Sequence, residues 1–226
     1  MGERLNKTEI LNIDCMEYMA GLEDNAFDLT IVDPPYGLDV ANKFGGEERK
    51  SGKGAAMKTA FEKKDWDLRI PDKQYFVELM RISKNQIIWG ANYMSHYLPP
   101  SMGWIVWDKN NGTTKFSDSE LAFSSFNRAL RIYKYTWNGM IQGDMKNKES
   151  RIHPTQKPIR LYDWLLQNYA TSGMRILDTH LGSGSSAIAA HYFGCDFVGC
   201  EIDKDYFEAA QKRFEKETRQ LVLNYG

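Results

Sequence analysis

The chain has 226 residues, 42% of them hydrophobic, and a formal net charge of -1, which suits one large α/β domain with insertions. No apolar run reaches the length of a membrane helix, and the N-terminal MGERLNKTEI has neither an apolar core nor a small-residue cleavage site, so a cytoplasmic protein without a membrane segment is expected. Cys15, Cys195 and Cys200 form an odd set without paired spacing, which predicts reduced thiols, no disulfide and no metal.

Strand and helix patterns alternate along the chain. TEILNID (8–14) predicts a strand, CMEYMAGL (15–22) a helix and FDLTIVD (27–33) a second strand. Between 38 and 66 apolar density falls while Gly and Lys rise, which predicts a long mobile loop. A helix follows over 71–82 with Pro71 in its first turn, then strands at NQIIWG (85–90) and GWIVWDK (103–109). The aromatic, basic stretch 109–151 has strand-like pieces at ELAFSSF (120–126) and RIYKYTW (131–137). Beyond it come an amphipathic helix over 160–170, a buried strand MRILD (174–178), a glycine-rich turn opening a helix, the strand DFVGCEID (196–203) and a terminal helix over 204–221.

Two strand-tip loops carry the chemistry. In DLTIVDPPYG (28–37) a proline cannot donate to a strand ladder, so the strand stops near Val32 and delivers Asp33, Pro34, Pro35 and Tyr36 on a stiff loop. In ILDTHLGSGSSAIAA a strand ends at Asp178 and a Gly-x-Gly turn, Gly182 to Gly184, precedes small residues from Ser185 on, so that backbone can approach a ligand closely. Glu201, twenty-three residues after Asp178, closes the next strand, where ribose hydroxyls can be bound. In open α/β sheets, ligands sit beyond the carboxyl ends of strands, so neighbouring loops of this kind would share one crevice.

Charge is uneven. Residues 38–64 hold seven Lys/Arg against four Asp/Glu, and residues 109–151 hold eight against four. Local basic segments on an acidic chain suit a polyanion contacted at one face; an ordinary solvated, lysine-rich loop is the alternative.

DPPY at 33–36, LDTHLGSGSS at 177–186, CEID at 200–203 and HPTQKP at 153–158 resemble the amino-group DNA methyltransferases that use S-adenosylmethionine. With the tetrapeptide early and the glycine loop late, the order is similar to the β arrangement of that family. WIVWDK and FSDSELAFSSF resemble its small solitary adenine methylases of phages and mobile elements. The resemblance implies a Rossmann-like fold of the S-adenosylmethionine-dependent methyltransferases, with a mostly parallel central sheet, helices on both faces and a small inserted target-recognition region at about 109–151. It also implies one domain over 1–226, double-stranded DNA as partner, S-adenosylmethionine as cofactor without a metal, and a monomer or homodimer.

By that resemblance Asp33 and the Pro34 carbonyl accept the two N–H groups of an exocyclic amine, turning its lone pair toward the sulfonium methyl, and Tyr36 stacks on a flipped base. Asp178, Gly182, Gly184 and Ser185 shape the cofactor loop, Glu201 meets the ribose, Asp14 and Cys15 face the cofactor adenine, and Lys157 meets the methionine carboxylate. His153 is either part of that motif or a loop residue capping backbone. Lys43, Arg49, Lys50, Lys53 and Lys58 in the loop, with Arg128, Arg131 and Lys134 in the insert, are the expected DNA contacts. The interleaved Tyr133, Tyr135 and Trp137 are expected to be core of a small subdomain.

One departure stands out: Thr179 and His180 follow Asp178, where the family usually has proline and an aromatic. Cytosine C5 chemistry would need a cysteine after proline, and none of the three follows one. Cytosine N4 and RNA adenine stay open as acceptors, as does a catalytically silent DNA-binding protein with this fold; Asp33, where the N4 subfamily commonly has serine, favours adenine N6.

Overall fold

The computed structural model describes residues 6–40, 64–112, 117–138 and 141–219. Lys43, Arg49, Lys50, Lys53 and Lys58 lie outside the described residues.

Local signals start and stop the elements. Strand β1 (Thr8–Leu11) is followed by helix α1 (Cys15–Ala20), which Asp14 caps by accepting the Met16 N–H at 2.7 Å. The expected strand over 8–14 is therefore shorter, because Asp14 belongs to the helix cap. Strand β2 (Phe27–Val32) ends one residue before Asp33 and the two prolines. Asp72 caps α2 (Lys73–Ile82), whose buried Tyr75, Phe76, Leu79 and Ile82 form one apolar stripe. Strands β3 (Ser83–Trp89), β4 (Ile105–Asp108), β5 (Ser119–Ser124) and β6 (Arg131–Lys134) follow, then the short pair β7 (Trp137–Asn138) and β8 (Ile141–Gln142). Helix α3 (Ile159–Tyr169), strand β9 (Arg175–Asp178), helix α4 (Ser185–Phe193), strand β10 (Asp196–Cys200) and helix α5 (Lys204–Arg219) complete the chain.

Eight strands form one sheet in the order β1-β10-β9-β2-β3-β5-β4-β6. From β1 to β3 all neighbours are parallel, whereas β5 runs antiparallel to both β3 and β4. Alternation along the strands separates two cores. Leu29, Ile31, Ile87 and Trp89 pack with Leu161, Leu165, Ala187 and Ala210 of α3, α4 and α5. Phe27, Val32 and Ile88 pack with Met19, Phe76 and Leu79 of α1 and α2. Helices thus cover both faces of a mostly parallel sheet, the Rossmann-like arrangement expected from the sequence.

Among the described residues of 109–151, β5 and β6 join the central sheet, and β7 and β8 pair separately. Trp137 is buried and donates its indole N–H to the Gln156 carbonyl at 2.8 Å, while Tyr133 and Tyr135 pack against the main core. Among the described residues no helix is long and apolar enough to cross a membrane.

Candidate active site

Strands β2 and β9 are direct parallel neighbours, so the loop at Asp33 and the glycine loop after Asp178 leave the same sheet edge side by side. β10 is the other neighbour of β9 and brings Glu201 to that edge.

The first loop is held by a side chain that the sequence reading missed. Asp67 accepts the backbone N–H of Tyr36 at 2.9 Å and of Gly37 at 3.0 Å on one oxygen, and that of Val40 at 2.9 Å on the other. It satisfies donors that the prolines and the sharp turn leave without ladder partners. The Tyr36 ring stacks on Tyr93 with centroids 5.2 Å apart, and its hydroxyl donates to Asp33 Oδ1 at 2.6 Å. The expected stacking face for a base is therefore already partnered by Tyr93, which is 39% exposed. Gly90, at φ +66°, lies directly against the Tyr36 ring.

Lys157 sits among these groups. Its Nζ is 2.5 Å from Asp33 Oδ2, 3.1 Å from Glu120 Oε2 and 3.1 Å from the Tyr36 hydroxyl. An ammonium has three N–H donors, and these acceptors match all three. The sequence reading aimed Lys157 at the methionine carboxylate; here its donors face Asp33, Glu120 and Tyr36. Glu120 in turn binds Lys109 at 2.5 Å. Burial pushes the Glu120 carboxyl up, but Lys157 and Lys109 outweigh it and hold the group at about 2. Burial raises Asp33 above the usual carboxylate range, against the pull of Lys157. Desolvation works against the Lys157 charge, yet the two carboxylates raise its pKa and keep it protonated.

In the second loop, Asp178 accepts the Ser186 hydroxyl at 2.6 Å and the His180 N–H at 3.0 Å, tying the turn to α4. Burial pushes its carboxyl up to about 7. Gly182 and Gly184 adopt φ +53° and +75°, which glycine reaches without strain. Glu201 accepts the Gly182 N–H at 2.8 Å and the Asp203 N–H at 2.9 Å, so the acid and the glycine turn are one unit. His180 shares a hydrogen bond with Thr179 at 2.9 Å and meets the Tyr75 ring edge-on; desolvation lowers its pKa to about 4, leaving it neutral at pH 7.

Two adjoining cavities, each lined in part by Pro35 and His180, run along this edge. One, about 220 Å³, is bounded by Asp33, Lys157, Gly182, Ser183 and Glu201, with Trp66, His153 and Tyr206 as an aromatic wall. The other, about 280 Å³, is bounded by Cys15, Met16, Ile70, Pro71 and Tyr75. His153 meets the Tyr206 ring edge-on, with centroids 4.3 Å apart, and its Nδ1 lies 3.1 Å from the Thr155 hydroxyl. Asp33, Pro35, Lys157, Gly182, Glu201 and Cys15 thus converge on one crevice. Asp178, Gly184 and Ser185 support the glycine turn behind it, and Asp14 caps α1 beside it. Arg131 and Lys134 lie exposed on the edge strand β6, and Arg128 sits over Phe126 and Tyr169 while donating to the Asn168 carbonyl at 2.5 Å. Among the described residues no cluster of three or more His, Cys, Asp or Glu side chains could hold a metal ion.

Asp67 carries no local signature and is recognised only by what the fold places against it. For Glu120 the stretch FSDSELAFSSF was the available signal.

Known proteins resemble this chain in sequence and in fold. A family model described as a DNA methylase, of the N6/N4 type, matches residues 76–212. The chain is 23% identical to the Type II methyltransferase M2.DpnII of Streptococcus pneumoniae, over 94% of this chain and 91% of that protein. It is 25% identical to the Type II methyltransferase M.HpaI of Haemophilus parainfluenzae, over 90% and 73% respectively. Among solved structures, M1.HpyAVI in complex with S-adenosylmethionine superposes with a TM-score of 0.55 at 19% identity, covering 91% of this chain and 99% of that one. The cytosine-N4-specific PvuII DNA methyltransferase gives 0.59 at 11% identity, covering 95% and 91%. The match of the family model over more than half the chain, on a fold with these two strand-tip loops, makes this protein a member of the amino-group DNA methyltransferase family.

Proposed function

We propose that the chain transfers the methyl group of S-adenosylmethionine to the N6 amine of an adenine flipped out of double-stranded DNA. The observation that carries this reading is the Asp33 carboxylate, held by Tyr36 and Lys157 on the wall of a cavity whose other wall is Gly182 and Glu201.

The residues present suit the cofactor. Glu201 is a buried carboxylate oriented by two backbone N–H groups, a fitting acceptor for ribose hydroxyls, and the positive-φ Gly182 keeps a side chain out of the turn. Ile70, Pro71 and Tyr75 offer an apolar wall for an adenine ring, with Cys15 beside it, while the Asp14 carboxylate next to Cys15 caps α1. Ser183 and Thr155 supply polar groups for the methionine end. When bound, S-adenosylmethionine supplies an electrophilic methyl group on a sulfonium.

The protein's part is positioning and electrostatics. Asp33 and the Pro34 carbonyl accept the amine N–H groups, which biases the nitrogen toward tetrahedral geometry and frees its lone pair. The carboxylate also stabilises positive charge developing on that nitrogen. No cysteine nucleophile enters this scheme; burial pushes the Cys15 thiol, which borders the cofactor crevice, up to about 12. The Tyr36–Tyr93 stack supplies aromatic surface beside the amine site, and Arg131 and Lys134 supply phosphate contacts.

Asp33→Ala tests the assignment. Methyl transfer to DNA is expected to fall by roughly 10³-fold or more, while calorimetric binding of S-adenosylmethionine stays within about threefold of wild type because Asp33 does not anchor the cofactor. Wild-type turnover in that variant would overturn it.

A further inference from the structure

Two charged residues beside the cavity have no part in the scheme above. Glu120, on β5, and Lys109, just after β4, belong to strands that lie beyond β3 from the catalytic loop. Their side chains nevertheless reach the Asp33 cluster, with only 20% and 16% of their surfaces exposed. A buried carboxylate costs free energy unless it is paired, and Glu120 is paired twice, once with each lysine.

We propose that Glu120 is a positioning residue for methyl transfer: gripped by Lys109 on one carboxylate oxygen, it uses the other to hold the Lys157 ammonium against Asp33. This rests on the reading that Asp33 receives the target amine. The geometry is a chain of short contacts, Lys109 to Glu120 at 2.5 Å, Glu120 to Lys157 at 3.1 Å and Lys157 to Asp33 at 2.5 Å. The rings of Tyr36 and Trp89, 5.4 and 5.7 Å from Lys157 Nζ, close the remaining side and leave the ammonium little freedom to leave.

Two consequences follow. Lys157 fixes Asp33 Oδ2, and Tyr36 fixes Oδ1, so the plane of the carboxylate is set before any amine arrives. The inner triad of Asp33, Lys157 and Glu120 carries one net negative charge, which favours positive charge growing on the amine.

The same triad controls when Asp33 is ionised. The groups that act on it are Lys157 from the segment before α3, Glu120 from β5, Tyr36 from its own loop, Asp178 at the tip of β9, Tyr75 of α2 and Tyr162 of α3. Lys157 favours the carboxylate and Glu120 disfavours it. Transfer needs Asp33 ionised, so activity is lost as pH falls through its folded pKa. Removing the negative charge of Glu120 lowers that pKa and moves the acid limb to lower pH. Removing the positive charge of Lys157 raises it and moves the limb to higher pH.

The test is single-turnover methyl transfer to DNA as a function of pH for wild type, Glu120→Gln, Lys157→Met and Lys109→Gln. Glu120→Gln is expected to lower the plateau rate at least about tenfold, with cofactor affinity unchanged and the acid limb displaced downward, while Lys157→Met displaces it upward. Lys109→Gln frees one side of Glu120 and is expected to lower the rate less, which keeps the idea testable if the buried variants do not fold. A wild-type plateau in Glu120→Gln and Lys109→Gln, or acid limbs that move in the same direction, would overturn the proposal. Asp33→Ala run alongside separates the two claims. Turnover in that variant removes the role of Asp33 itself. An inactive Asp33→Ala beside a wild-type Glu120→Gln removes only the positioning by Glu120.

Discussion

A Cβ atom on Gly90 would lie 2.0 Å from Tyr36 Cε1, and the residue sits at φ +66°, where a side chain is strained in any case. Gly90→Ala must therefore push the Tyr36 ring and, through its hydroxyl, the Asp33 carboxylate. We expect transfer to fall about 10²-fold, the cost of roughly 1 Å misplacement, with cofactor binding retained; an active Gly90→Ala would show that the ring need not be fixed. At this scale the sequence was informative where chemistry and position coincide. The placing of Asp33 and Glu201 at strand tips was legible because each follows directly on a β-rich run. Asp67 was not, since its three backbone partners lie about thirty residues away in the chain. The partners of the Lys157 side chain were not legible, because a motif does not show which buried carboxylates surround a cation; its donors face Asp33, Glu120 and Tyr36.

Among elements, the glycine turn is supported from behind by α5. Arg213 donates to the Ser183 carbonyl at 2.8 Å, to the Ser185 hydroxyl at 2.9 Å and to Glu149 at 2.7 Å, and Glu149 accepts the first N–H of α3 at 3.0 Å. One buried ion pair thus ties the glycine turn, α5 and the start of α3 together. Arg213→Met leaves Glu149 buried without its partner, which typically costs 3–5 kcal/mol, so a large fall in denaturation midpoint and weaker S-adenosylmethionine binding are expected. A midpoint within about 1 °C of wild type would contradict that, since a loss of this size shifts it by several degrees. The helices and parallel strands were legible from period, as the stripe of α2 illustrates, but not to their ends: Pro71, expected in the first turn of α2, lies before it because the Asp72 side chain caps the helix. β5 and β6 were legible as strands but not as part of the main sheet, because pairing of β5 with β3 depends on contacts across thirty-odd residues that local pattern does not encode.

For the whole molecule, a net charge of -1 conceals two locally basic stretches, 38–64 and 109–151. Arg131 is exposed on the edge strand β6, with no part in the crevice. If it neutralises one phosphate, Arg131→Ala should weaken DNA binding alike for all sequences and reduce the slope of log K against log salt by about 0.9. An unchanged slope would move the DNA contact elsewhere. Transfer to an adenine N6 amine is the central claim. The decisive measurement is incubation of the purified protein with S-adenosylmethionine and unmethylated double-stranded DNA, followed by digestion to nucleosides and mass spectrometry. That claim predicts N6-methyladenine, absent when Asp33→Ala replaces the wild type; N4-methylcytosine would contradict the adenine assignment, and no methylated base at all would contradict the enzyme.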